Sequence, residues 1–315
     1  MALILSELKL PLNAEESSLK EFAARALAMP ESAIHTLRIN RISLDARKKE
    51  DICFTYTVTV GLSEKDEARV LRRSGIRIAR APEESPRQLS FGSEPLKAPI
   101  VVVGLGPAGI FAAYQLAKNG YRPLVLERGR EVDARKTDVA RFWKTGVLDE
   151  ASNAVFGEGG AGTFSDGKLT TRIKDARAQE VVSIFAEHGA PEEIKTMAKP
   201  HIGTDLLRGV VKQLREKIIS LGGEVRFFAK VTGFQWENDR VQAVFLQNGE
   251  KIEAEDVVLA LGHSARDTFS LLYEEKFALE QKPFAMGVRI EHPRELIDRS
   301  QFGAFAGHPR LGAAE

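Results

Sequence analysis

Residues 101–109 read VVVGLGPAG, and a second apolar run, residues 124–126, ends at the acid Glu127. An apolar strand that leads into G-x-G-x-x-G, followed by an amphipathic segment and a second strand closed by an acid, is the layout of a dinucleotide-binding βαβ unit. The helix candidate between the two runs extends to Asn119 and stops at Gly120, a residue type favoured just after a helix. An ordinary βαβ crossover with a glycine-rich turn is the alternative, but the flanking pattern favours a nucleotide site.

Each residue of the glycine motif has a physical task. Gly104 permits the tight turn off the strand, Gly106 lets the backbone approach a pyrophosphate, and Gly109 lets the helix pack closely on the sheet. Pro107 suits the first helical turn, where its missing N–H would be unpaired in any case; Ala108 belongs to the same turn. The helix N-terminus then presents free N–H groups and its positive dipole end to phosphates.

A second glycine-rich stretch, residues 156–169, reads FGEGGAGTFSDGKL. We refer to it as the second loop. It can bring backbone N–H groups, hydroxyls and one cation to a phosphate or to a flavin edge. Its predicted binding residues are Gly159, Gly160, Gly162, Thr163, Ser165 and Lys168. A flexible surface loop is the alternative. The stretch is not a P-loop, because the spacing G-x-x-x-x-G-K-[ST] is not met.

Composition narrows the class of protein. The 315 residues suggest two or three domains, and the hydrophobic share of 43% is typical of a soluble globular protein. A formal charge of +1 gives no global electrostatic argument for nucleic acid as a partner. Cys53 is the only cysteine, which excludes an intrachain disulfide and a C-x-x-C redox pair. No apolar run is long enough to cross a bilayer, and Glu7 and Lys9 argue against a signal peptide. We therefore expect a cytoplasmic protein with no membrane partner.

By pattern, the chain divides into four parts. Residues 1–80 combine helix-spaced and alternating apolar positions, which predicts a small α+β module that we interpret as ferredoxin-like. Residues 81–98 contain three prolines and form a linker. Residues 99–265 form the nucleotide-binding domain, with an inserted loop and helical region over residues 130–203. Residues 266–315 begin a substrate domain, which we expect to be incomplete.

The order of elements after Glu127 favours FAD over NAD. A simple NAD-dependent dehydrogenase continues βαβαβ, whereas this sequence continues with a long irregular region, a helix, a strand and a three-stranded meander over residues 231–254, before an apolar strand that breaks at Gly262. This order resembles the FAD domain of the glutathione-reductase-like flavoproteins. The resemblance implies that Glu127 and the neighbouring Arg128 contribute to the cofactor site, with Glu127 on the adenosine ribose. It also implies that backbone at Val231 contacts the adenine and that the strand ending at Gly262 passes beside the cofactor. The implied fold is α/β, with a Rossmann-type βαβ unit and a β-meander.

Further motifs extend the resemblance over most of the chain. They are residues 43–49 (SLDARKK), 104–109, 156–169, 199–205 (KPHIGTD) and 282–293 (KPFAMGVRIEHP). The sequence is similar to a bacterial family of FAD-dependent dehydrogenases or oxidoreductases, which implies a flavoprotein with a small N-terminal α+β module and an inserted substrate domain. Such flavoproteins return to the FAD domain through a closing glycine-rich strand–helix segment. The sequence up to Glu315 lacks it, so we expect a C-terminally truncated chain.

Catalytic residues are the least defined part of the sequence. A flavin itself carries hydride or electron transfer, and the protein orients it. The substrate is an unknown small molecule. No second G-x-G-x-x-G is present to seat NAD(P)H, which stays a candidate electron donor, and the histidines show no metal-ligand spacing. His263 follows the strand that should end near the cofactor and is the candidate for proton transfer; a structural role is its alternative. An RNA-associated flavoprotein and a non-catalytic FAD-binding fragment remain open. In the first alternative, the N-terminal module binds RNA through its basic residues, which are Arg38, Arg41, residues 47–49, Arg72, Arg73 and Arg77.

Overall fold

The computed structural model describes residues 2–72, 77–82, 89–164, 167–171, 173–288 and 290–314. Two compact units make up the chain. The first comprises Met1–Leu89, Glu193–Pro200 and Pro283–Glu315, and the second comprises Ser90–Glu192 and His201–Lys282. The four sequence-based domain ranges stay predictions; the two units differ from them by grouping residues 193–200 and 283–315 with the N-terminal residues. Part of the predicted linker, residues 83–88, lies outside the described residues.

Strands and helices are numbered here in chain order. The strands are β1 (Ala2–Pro11), β2 (Thr36–Asp45), β3 (Cys53–Gly61), β4 (Ile78–Arg80), β5 (Ile100–Val103), β6 (Leu124–Leu126), β7 (Glu224–Arg226), β8 (Val231–Glu237), β9 (Arg240–Leu246), β10 (Lys251–Glu253) and β11 (Asp256–Leu259). The helices are α1 (Leu19–Leu27), α2 (Glu64–Leu71), α3 (Pro107–Lys118), α4 (Val132–Thr145), α5 (Arg177–Glu187), α6 (Thr204–Ser220), α7 (Arg266–Glu274) and α8 (Arg294–Phe302).

The first unit contains a four-stranded antiparallel sheet in the order β2-β3-β1-β4. With α1 and α2 in the connections, the chain order is βαββαβ, the ferredoxin-like arrangement inferred from the sequence. In β1 a register shift between Leu5 and Leu8, where Glu7 has a φ of 60°, inserts one extra residue. Because of this bulge, Leu3 and Leu5 before it and Leu8 and Leu10 after it are all buried in the same core.

The second unit contains a parallel sheet in the order β11-β5-β6-β7. Val101, Val102 and Val103 of the central strand β5 are buried, as expected for a strand covered on both faces. The chain leaves β5 toward β6 on one side and returns to β11 on the other. Strand order therefore reverses beside β5, and in such sheets ligands bind outside the carboxyl ends of the strands at this point. The expected α/β fold with a Rossmann-type βαβ unit is confirmed.

The meander predicted over residues 231–254 is a separate antiparallel sheet in the order β10-β9-β8. It packs through Val231, Val244 and Leu246 on the same cluster as Val101 and Leu126 of the parallel sheet. Its first residue, Val231, follows the end of β7 by a short connection, which brings the start of β8 close to the carboxyl end of β6.

Sequence patterns missed or overextended some elements. Helix α4 lies in the region expected to be an inserted loop and helical segment, and two of its four buried residues are charged, Arg135 and Asp138. Hydrophobic periodicity cannot detect such a face. The sequence predicts a strand over residues 224–228, but β7 ends at Arg226. Phe228 has a φ of 56°, which extended backbone does not allow. Among the described residues, no helix combines the length and the apolar character that a membrane span requires.

Candidate functional site

The turn between β5 and α3 depends on two glycines. Gly104 has a φ of 100°, and a Cβ there would lie 2.5 Å from the carbonyl oxygen of Ala260. A Cβ on Gly109 would collide with the carbonyl oxygen of Gly104. Helix α3 begins at Pro107, with no side-chain cap on its first amides. These amides have no partner within the helix, so they are available to an anion or to water.

The second loop packs directly on this turn. The N–H of Gly159 donates to the carbonyl oxygen of Leu105 at 2.8 Å. A Cβ on Gly160, whose φ is 63°, would lie 3.2 Å from both the Cα of Gly106 and the Cδ of Pro107. The two glycine-rich segments therefore meet backbone to backbone at the N-terminus of α3, a contact that is tight for any residue larger than glycine at position 160.

Glu127 joins the glycine turn to the second loop. Its side chain is buried, with 4% of the residue exposed. Oε2 accepts a hydrogen bond from the N–H of Leu105 at 2.7 Å, and Oε1 accepts from Gly129 at 2.9 Å and from Gly157 at 3.1 Å. A carboxylate has about four acceptor positions, so about one remains for a ligand hydroxyl. The predicted ribose acceptor thus has a structural task that its position in the sequence does not reveal.

Arg135 supports the second loop from inside the unit. This guanidinium is fully buried; Nε donates to the carbonyl oxygen of Asn153 at 2.8 Å and Nη1 to that of Glu158 at 2.6 Å. Its central carbon lies 4.8 Å from the ring centre of Phe164. Nη2 has no hydrogen-bond partner within the described part of the chain. Burial lowers the pKa of Arg135 to about 10, although the carboxylates of Glu127 and Glu158 oppose this effect.

Glu158 holds the same loop by a buried ion pair. One carboxylate oxygen accepts from the Nε of Arg215 at 2.7 Å and the other from the N–H of Val132 at 2.7 Å. Burial raises the pKa of Glu158, and the hydrogen bonds from Val132 and Arg215 oppose the increase. Through these contacts α4 and α6 both fix the position of the loop.

A cavity of about 290 Å³ opens outside the carboxyl ends of β5, β6 and β11, at the lower end of the usual size of small-molecule sites. Eleven of the residues predicted from sequence line it: Gly104, Gly106, Pro107, Ala108, Glu127, Arg128, Gly160, Gly162, Val231, Gly262 and His263. Four others do not line it: Gly109, Gly159, Thr163 and Lys168. Ser165 lies outside the described residues. The cavity therefore brings both glycine-rich segments and the start of the meander together.

The cavity wall also contains residues outside the predicted set, among them Phe156, Lys230 and Thr268. The guanidinium of Arg128 donates to the carboxylate of Asp267 at 3.1–3.2 Å and to the Thr268 hydroxyl at 3.1 Å. Lys230 Nζ lies 2.7 Å from the same carboxylate. Partial burial opposes ionisation of Asp267, but the hydrogen bonds from Lys230 and Arg128 outweigh it and lower its pKa to about 2.

His263 lines the cavity, and its Nδ1 lies 3.3 Å from the hydroxyl of Ser264. The Ser264 hydroxyl can orient the imidazole at this distance, and His263 stays a candidate for proton transfer. Among the described residues, no cluster of three or more His, Cys, Asp or Glu side chains is placed to hold a metal ion.

Three family models match the chain. The model described as pyridine nucleotide-disulphide oxidoreductase matches residues 98–276, which is more than half of the sequence. The model described as FAD-dependent protein, C-terminal domain-like, matches residues 283–315. A domain of unknown function matches residues 3–61. The first match contains every residue that lines the cavity.

Two relatives and one solved structure illustrate what this chain is similar to. An uncharacterized protein of Clostridium beijerinckii is 45% identical over all of this chain and 59% of its own length. The FAD-dependent monooxygenase nodY2 of Hypoxylon pulicicidum is 29% identical over 66% of this chain and 44% of its own length. This chain thus spans about half the length of these relatives. The crystal structure of Thermovibrio ammonificans THI4 is 20% identical, with a TM-score of 0.39 over 57% of this chain and 64% of its own.

Proposed function

The chain belongs to the pyridine nucleotide-disulphide oxidoreductase family, and from this premise we propose that it binds FAD and uses it in an oxidoreductase reaction on a small molecule. One observation carries the proposal. Both glycine-rich segments, Glu127 and the start of the meander line a single cavity, and that cavity lies where the strand order of the parallel sheet reverses.

The residues of the cavity suit the diphosphate part of this cofactor. Helix α3 directs its unpaired first-turn amides at the cavity, and Pro107 and Ala108 of that turn line it. Gly106 and Gly160 face each other without side chains, which leaves backbone room for a pyrophosphate. The side chain of any larger residue at either position would occupy this room.

In this proposal, Glu127, Arg128 and Val231 bind the adenosine part of FAD. Glu127 retains about one acceptor position for a ribose hydroxyl, and Val231 begins β8 at the cavity wall. FAD, when bound, supplies hydride or electron transfer. The protein contributes binding, orientation and the exclusion of water, and His263 in the cavity wall is the candidate for proton transfer.

The finer description is a dehydrogenase that moves a hydride or electrons to or from an unknown small molecule, with NAD(P)H as a candidate donor and the cytoplasm as its location. The fungal relatives include monooxygenases and an enzyme named notoamide E oxidase, so oxygen is the acceptor to test against NAD(P)⁺. Association with RNA has no specific support. The guanidinium of Arg47, in the basic segment, is bound by Asp45 at 2.7–2.8 Å.

The test is the visible absorption spectrum of the purified chain, followed by chromatography of the released cofactor and by titration with FAD. The informative variant is Gly106→Val. Gly106 has a φ of −75°, and a Cβ there would lie 3.9 Å from its nearest non-neighbouring atom, so valine fits the backbone while its branches enter the cavity. Gly209→Val on α6, where a Cβ meets nothing within 4 Å, is the matched control.

We expect the unaltered chain and Gly209→Val to bind FAD and Gly106→Val to lose it. A colourless chain that also fails to bind added FAD contradicts the proposal. Equal FAD binding by Gly106→Val would show that the cofactor lies elsewhere.

A further inference from the structure

Arg128 is held rigidly at the wall of the cavity. Its guanidinium donates to both oxygens of Asp267 and to the hydroxyl of Thr268, and only 14% of the side chain is exposed. Guanidinium N–H groups lie in the plane of the group, so these bonds use its edge and leave its two faces open. The guanidinium carbon lies over the ring of Phe156, 4.5 Å from the ring centre. One face is therefore backed by an aromatic ring.

Asp267 binds both cationic side chains at this wall of the cavity, Arg128 and Lys230. It lies in the first turn of α7, where the helix dipole favours a negative charge, and it binds Lys230 at 2.7 Å in addition to Arg128. The hydrogen bonds to Asp267 and Thr268 engage the edge of the Arg128 guanidinium, so the wall presents its planar cationic face. A flat heteroaromatic ring can bind to such a face by stacking.

We propose that Asp267 is a positioning residue for the adenosine end of FAD, holding Arg128 and Lys230 so that the Phe156-backed guanidinium of Arg128 forms the surface on which the adenine ring stacks. Nucleobases stack on arginine planes as they do on aromatic rings, and Arg128, Phe156, Lys230 and Thr268 all line the cavity. The inference rests on the proposed function and assigns the adenine contact within the same site.

The test compares ligands that contain adenine with one that does not. Dissociation constants for FAD, ADP and FMN are measured by fluorescence and calorimetry for the unaltered chain and for Arg128→Leu, Arg128→Lys and Asp267→Asn. Arg266→Leu makes the same charge change as Arg128→Leu next to Asp267, at a residue that does not line the cavity, and is the matched control. Thermal midpoints of the ligand-free variants show whether each is folded.

Loss of one base-stacking contact corresponds to roughly a 5- to 100-fold loss of affinity. We expect Arg128→Leu to weaken FAD and ADP by the same factor in this range and to leave FMN unchanged. Lysine keeps the positive charge but lacks the planar guanidinium, so Arg128→Lys should bind FAD and ADP little better than Arg128→Leu does. Asp267→Asn should give a smaller loss for FAD and ADP, and Arg266→Leu no loss.

Three results would overturn the inference. The first is unchanged affinity for FAD and ADP in Arg128→Leu, and the second is an equal loss of affinity for FMN in that variant. The third is full affinity for FAD and ADP in Arg128→Lys, which would assign the effect to charge. If Arg128→Leu does not fold, Asp267→Asn and Arg128→Lys decide by the same comparison. Failure of the unaltered chain to bind either FAD or ADP would instead refute the proposed function, and this inference with it.

Discussion

Arg215 on α6 donates its Nε to the fully buried carboxylate of Glu158 at 2.7 Å. This ion pair anchors the second loop, whose Gly160 lies against Gly106. The cavity therefore depends on charged groups that never reach it. That dependence can be tested by breaking the pair.

Removal of the Glu158 carboxylate should destabilise the second unit strongly. In Glu158→Ala, the guanidinium of Arg215 and the N–H of Val132 lose their acceptor. Breaking a buried ion pair from one side typically costs about 3–5 kcal/mol. Urea unfolding should show a decrease of that order in the free energy of unfolding. The control Glu216→Ala, at an exposed residue of α6 next to Arg215, should change this free energy little. A decrease below about 0.5 kcal/mol would argue against an anchoring role.

Arg135 should not be replaceable by lysine. Its Nε and Nη1 reach two different carbonyl oxygens, those of Asn153 and Glu158, and a single ammonium cannot span them in the same geometry. Each buried carbonyl left without a donor costs about 1–3 kcal/mol. We expect Arg135→Lys to lower the free energy of unfolding by that amount and to weaken FAD binding. The exposed Lys136 supplies the control, Lys136→Arg, and equal stability of the two variants would contradict the prediction.

Two glycines with positive φ should differ in their tolerance of alanine. Gly120, with a φ of 86°, has open space at the Cβ position, so Gly120→Ala carries only the backbone strain of about 1–2 kcal/mol. In Gly104→Ala, the new Cβ also approaches the carbonyl oxygen of Ala260 too closely. Such overpacking typically lowers the free energy of unfolding by about 1–3 kcal/mol beyond the backbone strain. Parallel urea titrations should rank Gly104→Ala as the less stable, and FAD titration should show weaker binding only for this variant. Equal effects would mean that the turn relaxes around a Cβ.

The Asp267 cluster should make stability depend on pH in acid. The folded pKa of Asp267 is about 2 and its ordinary value is 3.8, so the unfolded chain takes up a proton first as pH falls. The ion pairs of Asp267 therefore stabilise the fold fully above about pH 5, and this contribution disappears as pH falls through about 2.

Urea unfolding of the unaltered chain and of Asp267→Asn across this pH range measures the effect. The difference in the free energy of unfolding should be constant at neutral pH and shrink between the two pKa values. A difference that does not change with pH would show that the carboxylate does not titrate with its partners.

Local sequence order was enough to predict much of the fold. The β5-α3-β6 unit and the meander are each built from consecutive elements, so the strand patterns and the residues of the turns identify them directly. In the first unit, the periodicities of residues 1–80 indicate α1, β2, β3 and α2, whereas β4 is only three residues long and gives no such signal. By contrast, local patterns do not define the exact start of α6, where Gly203 occupies the N-cap position and makes no side-chain bond.

The candidate site was only partly predictable, because several of its contacts join distant parts of the chain. Arg128 and Asp267 are far apart in sequence, and an acid in the first turn of a helix is common enough that nothing marks Asp267 as a partner. Phe156 could have been suspected, since it directly precedes the second glycine-rich run. Because α4 buries the charged residues Arg135 and Asp138, its sequence is typical of a solvent-exposed helix although one face is buried in the core.

The backbone contact between Gly106 and Gly160 has an evolutionary consequence. Gly160 cannot gain a side chain independently, because a Cβ there would lie 3.2 Å from the Cα of Gly106 and the Cδ of Pro107. The second loop and the first turn of α3 should therefore change as a pair among relatives. Where the position of Gly160 carries a larger residue, the opposite turn must follow a different path, and the shape of the nucleotide site must change with it.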